Sequence, residues 1–242
     1  MDEIGRICNE HEVLLMSDAT QALGKIPLNV KKAGVHLAAF SAHKLYGPKG
    51  IGALYISRRK PRVQIAPQLH GGGHEEGMRP GTLNVPAIVG FGEATKLACT
   101  EMDGEAQRLL TMRDHFEEEL IGKVEAIFIN GKRDQRLPHV SNMSFKGLDG
   151  QNVMLHMRQS LCISSGSACT SSTMQASHVL RAYGMGSRLA KGGLRFSFGR
   201  MTSDLEIEEA VDIVVQSVQT LRSQNPVWEM YKKGIDVDDL EM

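Results

Sequence analysis

The chain has 242 residues, and its 28 lysines plus arginines are balanced by 28 aspartates plus glutamates. A net charge of zero gives no electrostatic footing for nucleic acid or an anionic membrane surface, and no apolar run approaches the roughly 20 residues that span a bilayer. The four cysteines (Cys8, Cys99, Cys162, Cys169) are spread widely with no CxxC pair, which predicts free thiols in a reducing compartment and no zinc site.

The opening MDEIGRICNEHEV is acidic and mixed, unlike a signal or transit peptide. EVLLMSD (12–18) predicts a buried strand that ends in an acid. VHLAAFSAHK (35–44) predicts a second strand, ending in Ser, His and Lys, and GIGALYIS (50–57) a third, close enough to pair with it as a hairpin. APQLHGGGHEEGMRPGTLNVP is too rich in glycine for a regular element, and a helix is predicted over AIVGFGEATKLA. From Met102 the character changes: Met102, Ala106, Leu109, Phe116 and Leu120 recur at helical spacing, which places a domain boundary between 1–101 and 102–242.

Strands are predicted over EAIFIN, VSNMSF, LCISS and GLRFSFGR. The last long helix opens with a capping box, Ser203 and Glu206, and sets Ile207, Val211, Val214, Val218 and Leu221 on one face. Strands and helices interleave, so the fold class is α/β. Cys8 and Cys99 fall in helical patterns and Cys162 in an apolar strand, and all three are predicted to be packed.

Ligands of open α/β sheets sit outside the carboxyl ends of strands. There the first strand delivers Asp18, Thr20 and Gln21, and the second delivers Ser41, His43 and Lys44. Singly, Asp18 reads as a helix cap and Lys44 as a solvated charge. Together they fit pyridoxal 5′-phosphate (PLP). Lys44 would bond the aldehyde, and Asp18 would keep the pyridine nitrogen protonated. Gln21 would bond the ring phenolate oxygen, and Ser41 and His43 would hold the phosphate. GPKGIG lacks the Gly-Lys-Ser/Thr of a phosphate-binding P-loop, and HGGGHEEG lacks the second histidine of HExxH. SSGSACTSS (164–172) sets Cys169 among small residues, and read alone it is a loop with an incidental thiol.

Taken in order, DATQALGKIPLNV, SAHKLYGPKGIGALYI, GGGHEEGMRPGTLN, SSGSACTSS and GLRFSFGR resemble the successive signatures of cysteine desulfurases. These belong to the PLP-dependent class V aminotransferase-like family of fold type I. The tail NPVWEMYKKGID resembles the IscS-like branch, which serves iron–sulfur cluster assembly. The resemblance implies conversion of L-cysteine to L-alanine, with the sulfur held as a persulfide on Cys169. Small, flexible neighbours suit a thiol that must reach the cofactor and then hand sulfur on. It further implies Lys44 as the base for the Cα proton and Arg195 as the clamp for the substrate carboxylate. Thr82 matches the threonine that reaches a partner subunit's PLP phosphate in a homodimer.

The tail would dock an iron–sulfur scaffold protein, with Trp228 and Tyr231 either exposed anchors or packed at the domain edge. The resemblance further implies a tRNA-thiolation relay as the one link to nucleic acid, no membrane partner, and a cytoplasmic location, or a mitochondrial one in a eukaryote. Two other readings stand beside this one. One is a selenocysteine lyase or cysteine sulfinate desulfinase; the other is a truncated, non-catalytic interaction module. The family carries a sizeable part ahead of the position of Met1, so the sequence reads as a C-terminal portion of the fold. In that reading 1–101 is part of the large cofactor domain and 102–242 is the small C-terminal domain. Ala42, Glu76 and Pro80 stand where the family commonly has glycine, arginine and serine.

Overall fold

The computed structural model describes residues 1–165 and 176–235. The chain divides into two units, Met1–Glu105 and Ala106–Met242, and each holds its own sheet.

In the first unit, α1 (Asp2–Glu10) precedes a three-stranded sheet of β1 (Met16–Asp18), β2 (Leu37–Ser41) and β3 (Gly52–Ile56), in that spatial order. β1 runs parallel to β2, with Asp18 opposite Ala39. β2 and β3 form the predicted antiparallel hairpin, with Ser41 opposite Gly52. A side chain at Gly52 would lie 2.4 Å from the Phe40 carbonyl oxygen, so glycine is required there. β1 is shorter than its apolar run: Val13 and Leu14 are exposed, and only 16–18 find ladder partners. Apolar composition makes a strand only where a neighbouring strand is within reach. The core is built of small residues, Ala19, Ala33, Val35 and Ala38, with Leu15, Phe40 and Tyr55 packed on it. His36 is buried, and its Nδ1 accepts the Leu15 N–H at 3.1 Å.

The helical pattern over AIVGFGEATKLA and the one that begins at Met102 are a single helix, α2 (Val85–Lys123), 39 residues long. Around residue 102 only Gly104 disfavours a helix, and its cost of about 1 kcal/mol relative to alanine does not break one.

The second unit continues with β4 (Ile127–Ile129), β5 (Val140–Phe145), α3 (Gly150–Met157), β6 (Ser164–Ser165), α4 (His178–Ala182), α5 (Ser187–Lys191), β7 (Gly193–Ser197), α6 (Asp204–Ser223) and α7 (Pro226–Lys232). Its sheet is antiparallel in the order β4-β5-β7-β6. Met143, Phe145, Leu194 and Phe196 are buried in one core with Phe116 and Leu120 of α2 and with Val211, Val214 and Val218 of α6. The Phe116 ring lies 5.1 Å from Phe196 and 5.3 Å from Phe198.

Two packing expectations are corrected, and one open choice is decided. Cys99, on α2, and Cys162, which precedes β6 and lies outside it, are both exposed. Of the run LCISS only Ser164–Ser165 pairs, so Cys162 has no sheet to pack it. Trp228 is 6% exposed, which removes it as a free surface anchor, and it stacks with the partly buried Tyr231 at 5.2 Å. Among the described residues no helix is long and apolar enough to cross a membrane.

The capping box of α6 forms as predicted. The Ser203 hydroxyl accepts the Glu206 N–H at 3.3 Å, and the Glu206 carboxylate accepts the Ser203 N–H at 2.8 Å. The bonds from the Ser203 backbone and then its hydroxyl hold the Glu206 carboxyl below the ordinary glutamate value. Ser203→Ala is expected to lower stability by about 1 kcal/mol in urea unfolding at neutral pH. Because the folded value is depressed, Glu206's contribution is present above the ordinary value and is lost as pH falls through the folded one. The gap between wild type and variant therefore narrows in acid.

Candidate cofactor and substrate site

Parallel pairing brings the carboxyl ends of β1 and β2 to the same edge of the first sheet. β1 ends in Asp18, which is exposed and accepts the Thr20 N–H at 3.0 Å. The Thr20 hydroxyl and this backbone N–H hold the Asp18 carboxyl below its ordinary value, so it stays anionic. Gln21 is exposed on the turn that follows.

β2 ends at Ser41 and passes into a 3-10 turn, Ala42–Leu45. Ala42 is 0% and Leu45 2% exposed, and residues three apart in such a turn share a side. Burying that side turns His43 and Lys44 outward, where both are exposed. The Ser41 Oγ and His43 Nδ1 are 2.7 Å apart, and the turn is closed by Tyr46 in the left-handed region at φ 63. Asp18, Gln21, Ser41, His43 and Lys44 thus gather at one end of the sheet. Thr82 is exposed in the irregular segment ahead of α2, and no hydrogen bond among the described residues joins it to the other five.

Small residues seat α2 against both turns. A Cβ on Gly47 would lie 3.0 Å from the Ala94 Cβ, one on Gly24 2.6 Å from the Ala98 Cβ, and one on Gly90 2.7 Å from Pro48 Cγ. Residues 90, 94 and 98 recur every fourth position, so they form one stripe of the helix.

In the second unit Arg195 lies on β7, on the face opposite buried Leu194 and Phe196. It pairs with Asn142 of β5 on one side and Ser164 of β6 on the other. Asn130 extends the row: its Nδ2 donates to Asn142 Oδ1 at 2.6 Å and to Ser144 Oγ at 2.9 Å. Arg195 is half-buried and makes no hydrogen bond or ion pair among the described residues, so its planar fork is available to a carboxylate. A Cβ on Gly193 would lie 2.7 Å from Leu180 Cδ1, which sets α4 against this face too.

Cys169 falls in 166–175, outside the described residues. The elements on either side of that segment are both anchored beside Arg195, through Ser164 in register with it and Leu180 over Gly193. The motifs did not reveal Asn142 and Ser164 as neighbours of Arg195. The alternation in VSNMSF marks Asn142 as facing away from the core, but the register that aligns it with Arg195 is not local information.

The family pattern described as Aminotransferase class-V matches residues 1–210. The chain is 46% identical over 241 residues to a protein of Edwardsiella ictaluri named cysteine desulfurase IscS, covering 100% of this chain and 59% of that one. It is 47% identical to the protein of that name from Aeromonas hydrophila, covering 98% of this chain and 58% of that one. The chain therefore spans less than two thirds of the length of these curated relatives. Among solved structures, the NifS-like protein of Rickettsia africae superposes with a TM-score of 0.79 at 31% identity, covering 90% of this chain and 57% of that one. A structure of SspA in complex with cysteine superposes at 0.63 and 32% identity, over 81% of this chain and 53% of that one. Because the family match takes in both turns of the Asp18–Lys44 cluster and the Arg195 strand, the chain belongs to the aminotransferase class-V family.

Proposed function

We propose that this chain carries the reacting residues of a PLP-dependent cysteine desulfurase, which takes sulfur from L-cysteine, leaves L-alanine and passes the sulfur to an iron–sulfur scaffold or another acceptor. The observation that carries the reading is the gathering of Asp18, Ser41, His43 and Lys44 at the carboxyl ends of parallel β1 and β2. The donor set fits PLP: an anionic carboxylate for the ring nitrogen, a hydroxyl and an imidazole for the phosphate, and a primary amine for the aldehyde. Gln21 is assigned to the ring oxygen.

Bound PLP supplies an electron sink for charge that develops at the substrate Cα. Lys44 would hold the cofactor through its aldehyde and would move the proton at the substrate Cα. Arg195 holds the substrate carboxylate. The Cys169 thiolate attacks the substrate sulfur: a sulfur–sulfur bond forms, the substrate Cβ–S bond breaks, and Cβ takes its electron pair and a proton. The products are alanine and a persulfide on Cys169.

In this reading 1–101 belongs to the cofactor domain and 102–242 to the small domain with Cys169. Thr82 is assigned to the phosphate held by a second copy in a homodimer. The bacterial sources of the relatives support a cytoplasmic setting.

The test supplies the full chain with PLP and L-cysteine, then alkylates and maps its thiols. A persulfide on Cys169, with one alanine per persulfide, is expected. No persulfide, or one spread evenly over Cys8, Cys99 and Cys162, overturns the reading. Release of selenide from selenocysteine with none of sulfur from cysteine reassigns the chain to the selenocysteine lyases.

A further inference from the structure

We infer that Lys25 is a positioning residue for Lys44, clasping the turn that follows β1 to the turn that follows β2. The assignment of a role to Lys44 rests on the reading above; the clasp itself rests on geometry. The Lys25 side chain is 9% exposed, and its Nζ lies 3.0 Å from Oε1 of Glu105, whose side chain is 8% exposed. The same ammonium sits 5.0 Å from the centroid of the Tyr46 ring. Next to it, a Cβ on Gly24 would lie 3.2 Å from Leu45 Cδ2 and 2.6 Å from the Ala98 Cβ. Gly24–Lys25 therefore meets Leu45–Tyr46 residue against residue, and α2 closes over both through Ala98 and Glu105.

Each turn is internally stiff. In the first, Leu23 donates to Ala19 and Lys25 to Ala22, which ties Lys25 back to the neighbour of Asp18. In the second, Ala42 donates to Ile51 and Gly47 to Ala42, and Lys44 lies between. Two stiff turns joined at this point keep a fixed separation between the backbone at Asp18 and the backbone at Lys44. A flat, rigid cofactor that must meet both residues requires this. Burying an ammonium and a carboxylate costs several kcal/mol per ion, so a buried pair is poor evidence for stability and better evidence for a fixed arrangement. A cation suits the joint because it can serve a carboxylate and a ring face at once.

The test reads amide hydrogen exchange in the full chain, first without cofactor. The key variant is the double substitution Lys25→Met with Glu105→Gln, which removes both charges of the pair together. Its exchange at the Tyr46 and Gly47 amides is expected to rise at least about ten-fold, together with that of 22–26, as the two turns open independently. Lys25→Arg keeps the charge and the ring contact, and is expected to stay within about two-fold of wild type. Val35→Ala, a core substitution in the same unit, controls for general loosening.

Unchanged exchange at 42–47 overturns the clasp, and so does an equal rise there in Val35→Ala. Borohydride trapping with PLP then tests the consequence. The Lys44 adduct is expected to fall about ten-fold in the double variant and to be kept by Lys25→Arg. A wild-type chain with no Lys44 adduct removes the desulfurase reading, while the exchange result still decides the clasp.

Discussion

Lys44→Ala is expected to abolish covalent attachment of PLP, lowering the borohydride-trapped adduct at least about 100-fold. Other amines near the site do not replace it. Lys25 is buried in its pair with Glu105, and Lys49 is exposed beyond the end of the Lys44 turn. Only Lys44 is turned out from a sequence step that also carries the Ser41–His43 pair. Lys49→Ala is therefore expected to retain the adduct, as peptide mapping of the reduced protein will report. Lys44→Arg is expected to behave like the alanine variant, because a guanidinium does not lose its proton in this pH range and cannot act as the amine nucleophile. A chain that keeps a full adduct in Lys44→Ala would move the cofactor site elsewhere.

Arg222→Leu is expected to lower the stability of the second unit by about 3–5 kcal/mol, measured by urea unfolding with Trp228 fluorescence as the probe. Arg222 is buried near the end of α6. Its guanidinium donates to the carbonyls of Glu125 at 2.7 Å, Lys146 at 3.0 Å and Ala126 at 3.3 Å. Its other face lies 3.8 Å from the centroid of the Trp228 ring. Ala126 is a non-glycine residue at φ 49, a left-handed conformation that costs on the order of 1 kcal/mol and that the arginine helps to hold.

Leucine fills part of the volume but leaves the buried Lys146 carbonyl and the part-buried Glu125 carbonyl short of a donor, and removes the cation over the ring. Arg222→Lys is expected to recover only part of the loss, since an ammonium cannot stack flat on Trp228 while reaching three carbonyls. Burial pushes the Arg222 guanidinium down to about 10. It stays charged throughout the neutral range, so the loss is expected to be constant from pH 6 to 8.

The features legible in the sequence are those written within a few residues. The short apolar runs in 35–44 and 50–57, close together in the chain, predicted the β2–β3 hairpin, and Ser203 with Glu206 predicted where α6 begins. Val211, Val214 and Val218 are fully buried, as their spacing required. The cluster of Asp18, Ser41, His43 and Lys44 could be read as well, because strand ends in a parallel pair share an edge whatever surrounds them.

The tertiary structure decided what depends on a distant partner. β1 stops at 16–18 because a strand extends only as far as its neighbour offers a ladder. Cys162 is exposed because only 164–165 of its run pair with β7, while Trp228 is buried because Arg222 stacks on it. Lys25 and Glu105 are 80 positions apart, and nothing near either one foretells that they meet beneath Tyr46. Arg195 could be singled out by its motif, but its alignment with Asn142 and Ser164 is a matter of register across three strands. The sequence alone thus determined the local elements and the chemistry at the strand ends, through propensity, capping and spacing. Pairing, burial and register, which hold that chemistry in place, arise from contacts between residues far apart in the chain and existed only once it had folded.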